Sequence, residues 1–221
     1  MLTLDDVWPL FRLRLATPRL ALRPLRDEDL PALAEAAASG IHDPARTPFA
    51  APWTDAPAGE LAANTARWVW GRRSELAADA WTVQFGVFAH DGALLGAQDV
   101  SAARFTDRRT IETGSWLRRD AQGRGYGAEM RAAVLLWAFD CLGAEVAETA
   151  AFDWNAASLG VSRRLGYGPN GETRHATRPG VVERELKLRL LAEDFRRPEW
   201  ELEVGGGPEA ATFLGIPTAE G

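Results

Sequence analysis

The run Gln122-Gly123-Arg124-Gly125-Tyr126-Gly127 constrains this chain more than any other stretch. It lies between a strand-like segment, Thr110 to Arg118, and a helix-like one, Ala128 to Leu142. Alternating glycines let a backbone approach a ligand closely, because no Cβ stands in the way. The first amides of a helix lack partners within it and carry partial positive charge, so they bind phosphate oxygens. A phosphorylated cofactor is therefore the expected ligand.

Periodicity extends this unit in both directions. Phe11 to Leu15 and Leu20 to Arg23 alternate as strands do, with Thr17-Pro18 turning between them. Asp27 or Asp29 is placed to cap a helix reaching Ser39, with Pro31 in its first turn. Gly40 to Pro57 holds Pro44, Pro48, Pro52 and Pro57 among Phe49 and Trp53, and reads as a long structured loop. A second helix fits Gly59 to Leu76, and strands fit Trp81 to Ala89 and Ala93 to Ala103 around the hairpin dipeptide Asp91-Gly92. After the glycine unit come a strand at Glu145 to Phe152 and a helix at Asn155 to Leu165 ended by Gly166. Two last strands, Gly168 to Thr177 and Val181 to Leu190, meet at Arg178-Pro179-Gly180.

The order β-α-α-β-β-β-α-β-α-β-β gives an α/β (α+β) class, a mixed and mostly antiparallel sheet flanked by helices. A chain of 221 residues suits one domain over residues 1–191 with a C-terminal tail over 192–221. Gly205-Gly206-Gly207-Pro208 reads as a linker in that tail, which is expected to pack loosely or to dock on a neighbour.

A net charge of −6 argues against general nucleic-acid binding. The N-terminus shows no secretory pattern, and the longest apolar run, Ala132 to Phe139, is too short to span a bilayer, so a cytoplasmic protein without membrane partners is expected. Cys141, the single cysteine, excludes an intrachain disulfide and falls on the apolar face of its helix, where it is expected to be buried. No metal site is expected.

Gly123-x-Gly125-x-x-Ala128, with Glu145 about 20 residues on, also satisfies a dinucleotide fingerprint. That motif follows the first strand of a repeating βαβ series, whereas here three antiparallel strands come first. An oxidoreductase is the weaker alternative. A second segment decides against it. Gln122-x-x-Gly125-x-Gly127, then Asn155-x-x-Ser158, Val161, Arg164 and Leu165-Gly166-Tyr167, resemble the GNAT superfamily of CoA-dependent N-acyltransferases in its RimJ/RimL-like branch. Glu112-Thr113-Gly114-Ser115-Trp116-Leu117 is similar to that branch's Glu-x-Gly-x-Trp-Leu strand, and Thr17 to Pro24 to its first strand. The resemblance spans roughly residues 17–190.

It implies an acyl-CoA donor, acetyl or a bulkier acid such as succinyl, and a small-molecule or peptide amine as acceptor. It also implies a homodimer or higher homo-oligomer. Trp116-Leu117-Arg118 and Gln122, Gly123, Arg124, Gly125, Tyr126 and Gly127 would bind the cofactor, with Arg164 near the adenosine phosphate. A backbone amide at Leu117 or its neighbour would polarise the thioester carbonyl. Glu112 stands where the branch places its acid and would take the amine's proton, Ser158 would protonate the leaving thiolate, and Asn155 would orient the pantetheine while capping its helix. Two departures bear on this. Ser115 replaces a residue that is often aromatic, and no tyrosine lies between Asn155 and Leu165. Asp43 and Asp55 in the long loop would suit a cationic amine, and His42 reads as an ordinary loop residue. A non-catalytic acyl-CoA-binding module is the alternative from another class.

Overall fold

The computed structural model describes residues 1–217. Nine strands form one sheet: β1 (Arg14–Ala16), β2 (Leu20–Pro24), β3 (Ala80–Ala89), β4 (Leu94–Ala103), β5 (Thr110–Leu117), β6 (Val146–Phe152), β7 (Gly168–Arg178), β8 (Val181–Leu191) and β9 (Glu203–Gly205). Their spatial order is β7-β8-β6-β5-β4-β3-β2-β1-β9, and β5–β6 is the parallel pair among antiparallel neighbours. The helices are α1 (Leu4–Val7), α2 (Leu30–Ala38), α3 (Ala58–Ser74), α4 (Phe105–Arg108), α5 (Tyr126–Leu136), α6 (Ala156–Leu165) and α7 (Gly207–Phe213).

Alternation along the central strands splits the sheet into two faces. Val83, Phe85, Val100, Ile111 and Leu117 point to α5, whose Ala133, Val134 and Leu135 complete the main core. Ala97 and Trp116 point the other way and pack with Leu33, Ala36 and Val69 of α2 and α3. The β3–β4 turn forms at Asp91-Gly92 as expected, with Gly92 at φ 87° and the Asp91 carboxylate accepting from the Ala93 amide at 3.0 Å. The strand and helix positions from Ala80 to Leu191 agree with the sequence reading to within a few residues.

Four local expectations are corrected. The opening strand begins at Arg14, because Pro9 starts a 3-10 turn over Pro9–Arg12 that drives Leu10 and Phe11 into the interior. Asp29 does not cap α2. Its carboxylate is taken by Arg23 at 2.6 and 2.7 Å and by the Arg26 amide at 2.8 Å. Cys141 is exposed. The end of the α5 segment widens into a π turn over Trp137–Cys141, and the wider turn rotates Cys141 off the apolar face.

The fourth correction concerns the C-terminal segment. Strand β9 pairs with β1 and lengthens the sheet, while Ala210, Ala211, Leu214 and Ile216 are buried in the main core. The glycine run that looked like a linker is the turn into α7. A Cβ on Gly206 would lie 2.5 Å from the Arg12 carbonyl oxygen, and Pro208 occupies the first turn of the helix. Residues 218–221 lie outside the described residues.

Candidate functional site

Strands β5 and β6 pair over Thr110–Glu112 and Val146–Glu148 and then part. Beyond that point β5 stays with β4 and β6 with β8, so a V opens between them. The Thr149 hydroxyl donates to the Thr113 carbonyl at 2.9 Å and closes its apex. The V runs into a cavity of about 1000 Å³, walled by residues 113–117 on one side and 149–151 on the other. Leu117 lies opposite Gly96, and the neighbouring Arg118 amide donates to the Leu95 carbonyl at 2.8 Å. In antiparallel register this makes Gly96–Leu117 a non-hydrogen-bonded pair, so the Leu117 amide points away from β4 and into the V.

The glycine run forms the mouth of the same cavity, with Gly123, Gly125 and Gly127 on its wall. Gly123 has φ 74° and Gly125 φ 83°, a left-handed region that other residues enter at a cost. Among the described residues, the amides from Gly123 to Gly127 donate to no group of the chain. A Cβ on Gly127 would sit 3.7 Å from Val161 Cγ2 of α6, an ordinary packing distance. Such a set of unpaired amides at a helix start fits a pyrophosphate.

A clamp from the first hairpin holds this loop. Glu129, buried on α5, accepts from the Thr17 hydroxyl at 2.7 Å, the Arg19 amide at 3.0 Å and Arg19 Nε at 2.7 Å. Arg19 in turn donates to the Arg124 carbonyl at 2.9 Å and lies 4.8 Å above the Tyr126 ring. Glu129→Gln leaves these donors without their charged partner and is expected to cost about 1–3 kcal/mol. A melting curve should then fall by several degrees, and CoA should bind more weakly in a titration. Unchanged affinity would show that the loop holds its shape without the clamp.

Opposite the loop, α6 carries Asn155, Ser158 and Arg164 on the cavity wall. The Asn155 side chain accepts from the Ser158 amide at 3.1 Å, which is the expected N-cap. The floor carries a group that sequence reading missed. Arg131 of α5 is buried and donates to the Ser162 hydroxyl at 3.0 Å and the Ser115 hydroxyl at 3.3 Å. Burial holds its guanidinium below the ordinary arginine value, opposed by the nearby Tyr167. No carboxylate pairs with Arg131 among the described residues.

Beyond the V, α2, α3 and the long loop close a second chamber. Trp53, Trp68, Trp116 and Phe49 line it, with Trp53 packed at a tilt between Phe49 and Trp116 at ring distances of 5.1 and 5.9 Å. The loop is structured, as expected. Arg178 of β7 grips it through Asp55 and the Pro44 and Ala45 carbonyls, and Arg46 reaches back to Glu183. Asp55 is thereby occupied: the Arg178 hydrogen bond holds its carboxyl below the usual range, and it offers little to an acceptor amine. Asp43 is spent partly on the Ala45 amide at 3.0 Å. His42 is a loop tie, sharing hydrogen bonds with Thr54 Oγ1 and the Asp43 carbonyl, although it also touches the cavity.

The expected site residues thus divide. Trp116, Leu117, Gln122, Gly123, Gly125, Gly127, Asn155, Ser158 and Arg164 meet on one cavity. Gln122 serves the frame, since its amide donates to the Ile41 and Leu117 carbonyls at 2.7 and 2.8 Å. Arg118 turns to Asp120, and Arg124 and Tyr126 meet Arg19 outside the cavity wall. Glu112 is exposed beside the closed apex and does not line the cavity. Besides Asp43 of the long loop, Asp99 of β4 lines the cavity. Its signal was a lone charge inside an otherwise uncharged strand, Leu94 to Ala103.

Among the described residues, no cluster of His, Cys, Asp and Glu could hold a metal, and no helix is long and apolar enough to cross a membrane. Residues 19–168 match the family model described as an acetyltransferase (GNAT) domain. Among solved structures, RimJ of Mycobacterium smegmatis in complex with CoA-disulfide is similar at TM-score 0.68 and 16% identity, covering 95% of this chain and 96% of that one. A GCN5-related N-acetyltransferase from Brucella melitensis is similar at TM-score 0.64 and 20% identity, covering 83% and 80%. The spermidine N-acetyltransferase of Vibrio cholerae, solved with CoA and spermine, is similar at 0.59 and 14%, covering 80% and 98%. At these identities the structures speak for the fold, while the family model covers more than half of the chain. The chain belongs to the GNAT acetyltransferase family.

Proposed function

We propose that this protein transfers an acyl group from acyl-CoA to a primary amine by direct attack. The observation that carries this reading is the continuity of the unpaired amides of Gly123–Gly127 with the V between β5 and β6. The amides and Arg164 would hold the phosphates. The pantetheine would lie in the V, where the sheet lacks a strand, with Asn155 and Ser158 beside it. CoA supplies the activated thioester. The Leu117 amide would meet the carbonyl oxygen as it becomes an oxyanion, a contact of the kind worth several kcal/mol in the transition state. Ser158 lines the same cavity and would hydrogen-bond the departing thiolate.

Two features favour a donor longer than acetyl. Ser115, in place of a bulky side chain, leaves space at the floor of the V. Arg131 beside it offers a positive charge with no carboxylate partner among the described residues, as the free acid of a succinyl group requires. The spermidine acetyltransferase among the similar folds acts on a polyamine, and the aromatic chamber with Asp99 here suits a cationic amine as well. Release of CoA thiol should be followed with a panel of polyamines, lysine peptides and aminoglycosides. Calorimetric titration with acetyl-, propionyl- and succinyl-CoA accompanies it. CoA binding with transfer to at least one amine is expected. Binding without transfer to any of them would leave a carrier or regulatory module instead, and equal affinities would remove the donor preference.

A further inference from the structure

On the acyl-transfer reading above, we infer that Asp99 binds the acceptor's ammonium group and takes its proton. Asp99 lies opposite Gly114 in the β4–β5 register, one strand in from the V. Gly114 has no side chain, and a Cβ built there would meet nothing within 4 Å. The space above Gly114 therefore connects the Asp99 carboxylate with the place where the thioester would lie. Asp99 lines the cavity, yet its Oδ1 is sealed from solvent and accepts no hydrogen bond among the described residues. A carboxylate left so is costly unless a ligand supplies the donor.

The surroundings carry little charge of their own. Arg72 of α3 is the cation that acts on Asp99, and it pairs with Glu75 at 3.0 Å instead of bridging to it. Gln84 lies across from Asp99 on β3 with its own amide nitrogen unpartnered. Glu112 is a diagonal neighbour on the same face of β5, exposed beside the apex. Helix α2 brings the apolar Leu30, Leu33 and Ala36 to this side. Burial outweighs Arg72 and pushes the Asp99 carboxyl up to about 7. A base at that value accepts a proton at neutral pH far better than an ordinary carboxylate would.

The chemistry balances without another reactant. The ammonium gives one proton to the Asp99 carboxylate, and its nitrogen gains the free electron pair. That pair forms the C–N bond at the thioester carbon as the carbonyl electrons move to oxygen. Collapse breaks the C–S bond, and the thiolate leaves with its pair. The nitrogen sheds its second proton, which ends on the thiolate, and Asp99 returns its own to water. The sum is an ammonium and an acyl-CoA giving an amide, CoA thiol and one proton.

The test uses the intact protein with acetyl-CoA and the best amine of the panel. Asp99→Asn is expected to lower kcat/KM at pH 7 by about 100-fold or more, with the Kd for CoA changed less than about twofold. For the parent protein kcat/KM should rise through pH 7 to a plateau. In the variant that limb should vanish, leaving a rate that climbs tenfold per pH unit with the free-amine fraction. Gly114→Val keeps the carboxylate and fills the space above it, and should also cost at least about 10-fold. Glu112→Gln should stay within about threefold of the parent. Parent-like activity and pH profile in Asp99→Asn, or full activity in Gly114→Val, would overturn the inference. Should Asp99→Asn fail to fold, Gly114→Val decides alone. If the parent transfers to no amine, the acyl-transfer reading itself fails, which is a different result.

Discussion

Gly96→Ala is expected to cost about 3–5 kcal/mol, a large share of a domain's usual margin. The cause lies in backbone contact and not in torsional preference, since Gly96 does not have a positive φ. A Cβ there would fall 2.1 Å from the Trp116 carbonyl oxygen and 2.8 Å from Leu117 Cα. Neither atom is the flexible end of a side chain, so β5 must move away from β4. The residues displaced are those whose amide faces the V and whose carbonyl anchors Gln122 at 2.8 Å. Stability and cofactor binding should therefore fail together. The melting temperature is expected to drop by roughly 10 °C and CoA affinity by more than tenfold. Gly71→Ala is the matching control. Gly71 lies within α3 with nothing within 4 Å of a built Cβ, so alanine there should stabilise by about 0.5–1 kcal/mol. Gly96→Ala melting like the parent would show that the β4–β5 contact relaxes freely.

The contrast between those two glycines explains what could be read from the chain. Local signals with local causes were legible. Asn155 caps α6, Gly166 ends it at φ 103°, Asp91-Gly92 turns the hairpin, and Gly123 and Gly125 take the left-handed conformations that their loop needs. Each follows from the residue and its immediate neighbours. What the sequence hid depends on distant partners. Gly96 looks like an ordinary glycine until β5 is laid beside it. The C-terminal apolar residues looked like an unattached tail because β1 is short and its outer edge, which β9 covers, cannot be inferred from either segment alone.

The site shows the same division. The geometry of the proposed cofactor side was legible because its amides lie consecutively in one loop and its cap is local to α6. Motif position points to Glu112, whereas β-register and exposure leave it off the cavity wall and bring Asp99 onto it. Asp99 sits on another strand, 15 residues from its partner Gly114, and only the sheet brings them together. Arg131 was hidden for a similar reason: its partners Ser115 and Ser162 come from two other elements.

Asp99→Asn should make the protein more stable at pH 8 even as it removes activity. The folded carboxyl titrates at about 7 instead of 3.8, because burial opposes its charge. Between those values the folded state keeps a proton that the unfolded chain gives up. Stability from this group is thus present at low pH, falls as pH rises through the window from about 4 to 7, and is level above it. A shift of that size corresponds to at most about 4 kcal/mol, and water entering the cavity reduces it to about 1–3 kcal/mol. Asparagine has no charge to bury, so Asp99→Asn should melt several degrees higher at pH 8, with the gain shrinking toward pH 4. Taking the difference between variant and parent at each pH cancels the other carboxylates. A side chain that served only the fold would show the reverse, a variant weaker at every pH because a hydrogen bond to Gln84 had been lost. That result would also remove Asp99 as a base, since a carboxylate already satisfied by its own strand partner has no reason to take a proton from the substrate.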